Sequence, residues 1–380
     1  MRRVAVTGVG MTLFGKQPER SLEDLGAEAI LSALRNTGLA PDRIGAAYCG
    51  NALGGGAVGQ RVLAHLGIEG LPVVNVEAAC ASGSVALHEG WLRVAAGMHD
   101  AVLVFGAEKL SDRFDGVITL DRGHEPETKL GLTMPASYAF IARRHMTDYG
   151  TTLEQLAQVS VKNHRHGVLN PKAQYQVEFT LDEVVESRMI ADPLTLYQCC
   201  PNSDGAAAVV LMADEVIRGS ACRPVWIRGT GLASGSSLRR TRDMSFSDIA
   251  ARAADVAYAR AAVSPREVDV AEVHDAFTIG ELVACEALGF CERGRSGRMV
   301  ERGETELGGR IPVNPSGGLL SKGHPVGATG VAQIVELALQ LRGEAGPRQV
   351  DGVGVGVAHT LGGGVAALDG VACAVTVLGV

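Results

Sequence analysis

One cysteine and three histidines in this chain stand where thiol chemistry could be done. Cys80 lies in VNVEAACASGS (74–84), where an apolar, strand-like stretch meets small residues and then a helix opening on Ser82, Gly83 and Ser84. The unpaired N–H groups and positive dipole end of such a helix favour a thiolate, which makes a nucleophile without a metal. Elsewhere a cysteine is more often a small buried hydrophobe. His324 lies in SKGHPVGATG (321–330), also just before a helix, where it could serve as the base or ion-pair partner of a thiol or simply cap a turn. His274 follows the β run VDVAEV (268–273), and strand ends are good places for a side chain to enter a site. His359 precedes a glycine run, Gly362 to Gly364, where backbone can approach a ligand because no Cβ intrudes.

The elements that must carry these residues occur in two matching sets. RVAVTGVGMT (3–12) and PVWIRGTGLA (224–233) are short β runs ending in glycine-punctuated turns. Each precedes a helical pattern, at Leu22 to Thr37 and about Ser247 to Ala262, and then a strand, at 45–50 and 268–277. Each set then has a special turn feeding a helix and a buried strand. Cys80 leads to a helix ending near Gly97 and to AVLVFGAEK (101–109). GHPVGATG leads to a helix ending near Arg342 and to VDGVGVGVAHT (350–360). Matched order and similar spacing indicate duplication, and therefore two stacked α/β halves. The repeat predicts that the two helix starts, with Cys80 and His324, face each other at the centre.

The segment from about Ser111 to Leu194 breaks the repeat and carries more charge and more turn residues. It reads as an inserted, partly helical excursion, and insertions on a rigid frame often contact substrate. CCPNSDGAAAVVLM (199–212) then returns to a buried strand that completes the first half. The expected division is 1–110 plus 195–217 for the first half, 111–194 for the insert and 218–380 for the second half.

Composition narrows the function classes. The chain has 380 residues, 46% hydrophobic and 20% charged, enough for two domains or one large core. A net charge of −7 without a basic stripe argues against nucleic acid. Eight cysteines without a CxxC pair fit a reducing cytoplasm and argue against a structural zinc site. The sequence contains no long apolar run of the kind that spans a membrane.

Taken together, VNVEAACASGS, HDAFT (274–278), NPSGGLLSKGHPVGATG (314–330) and HTLGGG (359–364) resemble the thiolase superfamily, most of all the sterol-carrier-protein-2-type thiolases and their bacterial and archaeal relatives. CCPNSDGAAAVVL (199–211) and KNHRHGVLNPKAQ (162–174) add support, and the motifs run in order along the whole chain. The resemblance implies an α/β chain in the five-layer α-β-α-β-α thiolase fold, assembled as a homodimer or dimer of dimers. It implies coenzyme A thioesters as substrates, with no tightly bound cofactor and no metal. Cys80 would attack the thioester and hold the acyl group, with His324 as its base. His274 would hydrogen-bond the thioester oxygen, and the Gly362 N–H would join that of Cys80 in a second oxyanion hole. The inserted segment would cover the pantetheine arm.

Two positions depart from that pattern. The second thiol that resembling enzymes carry, in CxG or in HDCF, falls on Thr360 or Ala276 here, and neither can shuttle a proton as a thiol does. His359 is the nearest replacement, although neighbours on a strand face opposite sides. Glu77 reads as a local anchor or interface contact. Asp275 reads as a loop anchor on the far side from His274, Lys162 to His166 as an exposed helix end, and SLRRTRD (237–243) as a basic run that either meets phosphates or is simply solvated. The leading expectation is an acyl-CoA C-acyltransferase working through acyl-Cys80, by Claisen condensation or by thiolytic cleavage of a 3-ketoacyl-CoA. The alternatives are a retro-aldol lyase acting on a CoA side chain and a non-catalytic acyl-binding subunit. Both would work with a small zinc-ribbon/OB-fold partner; a lyase does not need the thiol, so Cys80 counts against it.

Overall fold

The computed structural model describes residues 1–114, 116, 118, 129, 131–217, 223–235, 243–363 and 370–380. The first half runs β1 (Val4–Met11), α1 (Leu22–Thr37), β2 (Ala47–Gly50), α2 (Val58–His65), β3 (Val73–Val76), α3 (Ser82–Ala95) and β4 (Ala101–Lys109). The excursion contributes α4 (Met134–Tyr149), α5 (Leu153–Val168), α6 (Leu181–Glu186) and the short hairpin β5 (Met189–Ala191) and β6 (Leu194–Thr195). β7 (Asp204–Ala213) and α7 (Asp214–Ile217) return to the first half. The second half holds β8 (Val225–Ser234), α8 (Asp248–Ala261), β9 (Val270–Glu272), α9 (Thr278–Ala287) and α10 (Ser296–Glu301). It closes with α11 (Gly318–Lys322), α12 (Thr329–Arg342), β10 (Val355–Gly362) and β11 (Ala372–Gly379).

The duplication is visible in strand order. The first half pairs as β3-β2-β4-β7-β1 and the second as β9-β10-β11-β8. Matching β2, β4, β7 and β1 to β9, β10, β11 and β8 reproduces both the order and the directions: one parallel pair, then two antiparallel pairs. The counterpart of β3 is reduced to an isolated parallel bridge from Val313 to Ala271. β1 and β8 join the halves into one nine-stranded sheet through Ala5–Trp226 and Val6–Val225.

Alternating side chains along the strands feed separate cores. Ala101, Leu103 and Phe105 of β4 pack with α1 and α2 through Leu25, Ile30 and Val62. Val102 and Val104 point the other way, into a core shared with Leu87 and Trp91 of α3 and Ile334 and Leu337 of α12. On the second half, Val375 and Val377 of β11 pack with Ile249 and Ala253 of α8. α3 and α12 thus lie between the two half-sheets, with α1 and α2 outside one and α8 outside the other. This is the expected five-layer arrangement.

Two strands differ from expectation: β9 covers only Val270–Glu272 of the run 268–277, because the chain turns at Val273–Asp275, and β10 starts late. β10 begins at Val355 and not at Val350, because Gly352 turns the chain with φ 69° and Asp269 accepts the Gly354 and Val355 N–H groups. No helix among the described residues is long and apolar enough to cross a membrane.

Candidate active site

The turn carrying Cys80 is fixed by its own backbone. Glu77 accepts the Ala79 N–H at 2.9 Å, the local anchoring expected of it. Ala79 takes the left-handed conformation with φ 49°, which costs a residue with a Cβ about 1 kcal/mol. Ser82 clamps the turn, accepting from the Ala78 N–H at 2.9 Å and donating to the Ala79 carbonyl at 2.6 Å. α3 starts two residues after Cys80 without a side-chain cap, so its amino end points at the turn as expected.

The matching turn of the second half meets it through glycine. A Cβ on Gly83 would come within 2.6 Å of the Gly327 carbonyl oxygen, and one on Gly106 within 2.1 Å. Only bare backbone lets the two helix starts approach this closely. Glu108, fully buried at the end of β4, ties the turns together by accepting N–H groups from Ala52, Leu53 and Gly327. Burial still raises its pKa, against the pull of those three donors.

His324 is held from both sides. Its backbone N–H donates to Ser203 Oγ at 2.9 Å, and its Nδ1 pairs with Thr329 Oγ1 at 2.7 Å. Nε2 is buried with no partner. Burial, with some help from Lys322, drives its pKa down to about 3, so the ring is a neutral proton acceptor.

His274 sits beyond the end of β9, in a tight turn closed by the Asp275 N–H to the Val273 carbonyl. The turn, and not strand alternation, sends Asp275 away from His274. The Asp275 carboxylate accepts from Asn163 Nδ2 at 2.7 Å and from the Leu319 and Leu320 N–H groups at 2.7 and 3.3 Å, which makes it the expected loop anchor. A Cβ on Gly318 would strike that carboxylate at 2.2 Å, and Gly318 also needs its φ of 60°. Burial, then the nearby Glu281, pushes the Asp275 carboxyl up to about 7. Burial, then His324 and His359, keeps His274 neutral.

The fold brings Cys80, His274 and His324 together. Sγ of Cys80 and a ring nitrogen of each histidine lie within 4.8 Å of one another. The two rings meet edge to face, with centroids 5.2 Å apart. Nδ1 of His274 and Nε2 of His324 are both buried and unpartnered. A thiol and two imidazoles this close would also accept a soft ion such as Zn2+.

His359 and Thr360 take opposite faces of β10, but not in the way that makes Thr360 the reacting group. Thr360 Oγ1 pairs with Ser84 Oγ at 2.8 Å and with Gln333 Oε1 at 2.6 Å. His359 lies on the His274 side, its Nδ1 accepting the His274 N–H at 3.4 Å and its Nε2 buried without a partner. Burial alone takes its pKa to about 4. Gly362 packs on the Cys80 turn, where a Cβ would come within 2.3 Å of the Ala78 carbonyl oxygen.

Lys162 to His166 is not an exposed helix end. Lys162, Asn163, His164 and His166 are buried, and only Arg165 faces solvent. α5 lies beneath the site loops, where Lys162 pairs with Glu281 at 2.8 Å and His166 Nδ1 meets the Asn314 carbonyl at 3.0 Å. A second buried pair, Lys322 with Glu272 at 3.1 Å, closes on Ser316. Sequence reasoning missed this network and Glu108; the available signal was charge inside otherwise apolar runs. Residues 237–242 of the basic run, and Gly364, lie outside the described residues.

The chain matches known proteins over most of its length. The family model for the thiolase N-terminal domain matches residues 4–215, and that for a thiolase C-terminal domain-like unit matches 230–372. The chain belongs to the thiolase family. The acetyl-CoA acetyltransferase of Methanothermobacter thermautotrophicus is 45% identical, over 96% of this chain and 97% of that protein. Human sterol carrier protein 2 is 40% identical, over 95% of this chain and 70% of that protein. The benzoylsuccinyl-CoA thiolase subunit BbsB of Thauera aromatica is 39% identical, over 96% and 95%. Among solved structures, the Ltp2-ChsH2(DUF35) aldolase superposes with a TM-score of 0.86 at 29% identity, covering 99% of this thiolase and 97% of that chain.

Proposed function

We propose that this thiolase is an acyl-CoA C-acyltransferase that forms and cleaves 3-ketoacyl-CoA through an acyl-Cys80 intermediate. The observation that carries this reading is the convergence of Cys80, His274 and His324 within 4.8 Å, with ring nitrogens left open. Neutral His324 takes the Cys80 proton as sulfur attacks the thioester carbon, and the CoA thiolate leaves. Its Nδ1 bond to Thr329 holds Nε2 toward the work. His274 steadies the oxygen of the second thioester as enolate charge develops. The N–H groups of Cys80 and Gly362 receive the oxyanion at the acyl carbon, each such donor being worth about 3–4 kcal/mol in favourable cases. CoA thioesters are the substrates, and no tightly bound cofactor is required. His359 adds an open ring nitrogen on the His274 side and is a candidate second proton carrier. A second copy of the chain has a natural seat on β3, an edge strand with Val74 and Asn75 exposed.

The test is to incubate the protein with acetyl-CoA or a 3-ketoacyl-CoA and weigh the Cys80 peptide. An acyl adduct that vanishes in Cys80→Ala is expected. Folded protein that takes no acyl group from any CoA thioester would overturn the reading.

The likeness to the aldolase favours a second reading, a retro-aldol lyase on a CoA side chain or an acyl-binding subunit, working with a zinc-ribbon/OB-fold partner. Turnover that survives Cys80→Ala would favour the lyase. Co-purification with such a partner, and no turnover in its presence, would favour the subunit.

A further inference from the structure

The second thiol missing from Ala276 and Thr360 has a counterpart on a different strand of chain. Residues 199–203 are laid across both second-half site loops. The Cys200 N–H donates to the Ala276 carbonyl at 2.9 Å, and Cys199 bridges Phe277 in antiparallel register. Asn202 bridges His324 in parallel register, and Ser203 Oγ receives the His324 N–H. Cys200 is therefore fixed against the residue that holds a thiol in resembling enzymes, two residues from the strand position paired with His324.

Its neighbours do not offer the same service. Thr360 is spent on Ser84 and Gln333, and Cys199 Sγ donates to the Thr195 carbonyl at 3.3 Å. His359 has its Nδ1 engaged by the His274 N–H, so it offers a neutral imidazole where the resembling enzymes offer a thiol. Cys200, like Cys80, keeps some accessible surface, while the three site histidines are buried. Burial first, and then the fields of Cys199, Cys80 and Asp275, push the Cys200 thiol well above the ordinary cysteine range. A thiolate formed there takes up a proton avidly.

We propose that Cys200 is the second catalytic thiol of this enzyme, the group that passes protons to the leaving CoA and from the donor α-carbon. This rests on the acyl-transfer reading above. In the first half-reaction His324 holds the Cys80 proton, the Cys80 S–C bond forms and the C–S bond to CoA breaks. The CoA sulfur takes the Cys200 proton and departs as the thiol, leaving a Cys200 thiolate. In the second, that thiolate removes an α-proton from the donor thioester. The resulting carbanion attacks the acyl carbon, the C–C bond forms, the Cys80 S–C bond breaks, and His324 returns the proton to Cys80. Both sulfurs and the imidazole end as they began.

The test uses the full-length protein and its Cys200→Ala, Cys200→Ser and His359→Ala variants. Two readouts are followed: acylation of Cys80 by acetyl-CoA, and exchange of acetyl-CoA α-protons with D2O. Both Cys200 variants are expected to acylate Cys80 about tenfold more slowly than the wild type, because a CoA thiolate leaves without the Cys200 proton but less readily. They are expected to lose α-exchange and condensation by roughly 10²–10⁴-fold, the usual worth of a positioned acid–base group. The serine variant keeps nearly the same volume, so the same loss in a protein that melts like the wild type separates chemistry from misfolding. Undiminished exchange in either Cys200 variant with acylation intact overturns the proposal alone, as does exchange abolished only by His359→Ala. A wild type that never acylates Cys80 overturns the acyl-transfer reading and takes this one with it.

Discussion

Asn163 on the inserted α5 donates its side-chain amide to the carboxylate of Asp275, at 2.7 Å, in the loop that presents His274. The excursion is therefore structural support for the second-half site loops. The same Asn163 amide reaches Glu281 at 2.9 Å, and Glu281 also receives Asn314 Nδ2 at 2.8 Å.

Replacing Asp275 by Ala leaves the Leu319 and Leu320 N–H groups and the Asn163 amide without their acceptor. Unsatisfied buried donors cost about 1–3 kcal/mol each before relaxation. A net loss of about 2–3 kcal/mol in urea unfolding is expected, together with a fall in kcat larger than any change in KM as His274 loses its place. Wild-type stability in the variant would contradict the anchor role.

Thr329 should act through His324. Thr329→Val removes the hydroxyl that holds Nδ1, at nearly constant volume. Cys80 acylation should slow by about tenfold, against about 10²–10⁴-fold for His324→Ala. Rapid-quench acylation rates distinguish the two, and equal effects would mean that the ring is oriented by something else.

Gly106→Ala tests the glycine contact between the halves. Gly106 has ordinary strand backbone, so the penalty is the close approach alone, 2.1 Å to the Gly327 carbonyl oxygen and 2.7 Å to the Ala328 Cα. Overpacking of this kind costs about 1–3 kcal/mol or more where backbone must move. Gly56→Ala meets nothing within 4 Å and should melt like the wild type. A Gly106→Ala protein with unchanged melting temperature would show that the two turns are not in hard contact.

Stability should fall as the medium is acidified below about pH 6.5, the ordinary histidine value. Burial takes His88, His164 and His359 down to about 4, and His166 and His324 to about 3. A depressed folded pKa means that the unfolded chain binds protons first, so this stability is present above 6.5 and lost as pH falls toward 3–4. His274 is lowered as well, while Asp275, raised to about 7, and Glu108, also raised, work in the opposite direction: two groups against six. Denaturation midpoints at pH 7.5, 6.5 and 5.5 would check the sign, and a midpoint that rises on acidification would refute it.

Much of the fold was legible because local signals agreed with each other. α1 spans Leu22–Thr37 as its periodicity indicates, with Ser21 and Asp24 forming a capping box. β4 spans Ala101–Lys109, a run of unbroken burial. The burial of Lys162 to His166 was not legible. A polar helix segment looks solvated until Glu281 and Asn314, more than a hundred residues away in sequence, come to meet it. The sequence places the start of β10 too early because the valines from Val350 continue on both sides of the turn at Gly352.

By itself the sequence determined the duplicated α/β plan, the family, and the choice of Cys80, His274 and His324 as candidates, because these rest on short-range periodicity and on motifs contiguous in the chain. Only the tertiary structure decided which neighbours share a face. It set Thr360 against Ser84 and Gln333, turned His359 toward His274, and pinned Cys200 to Ala276. Those relations depend on strand register and on turns between segments far apart in sequence, and no local pattern encodes them.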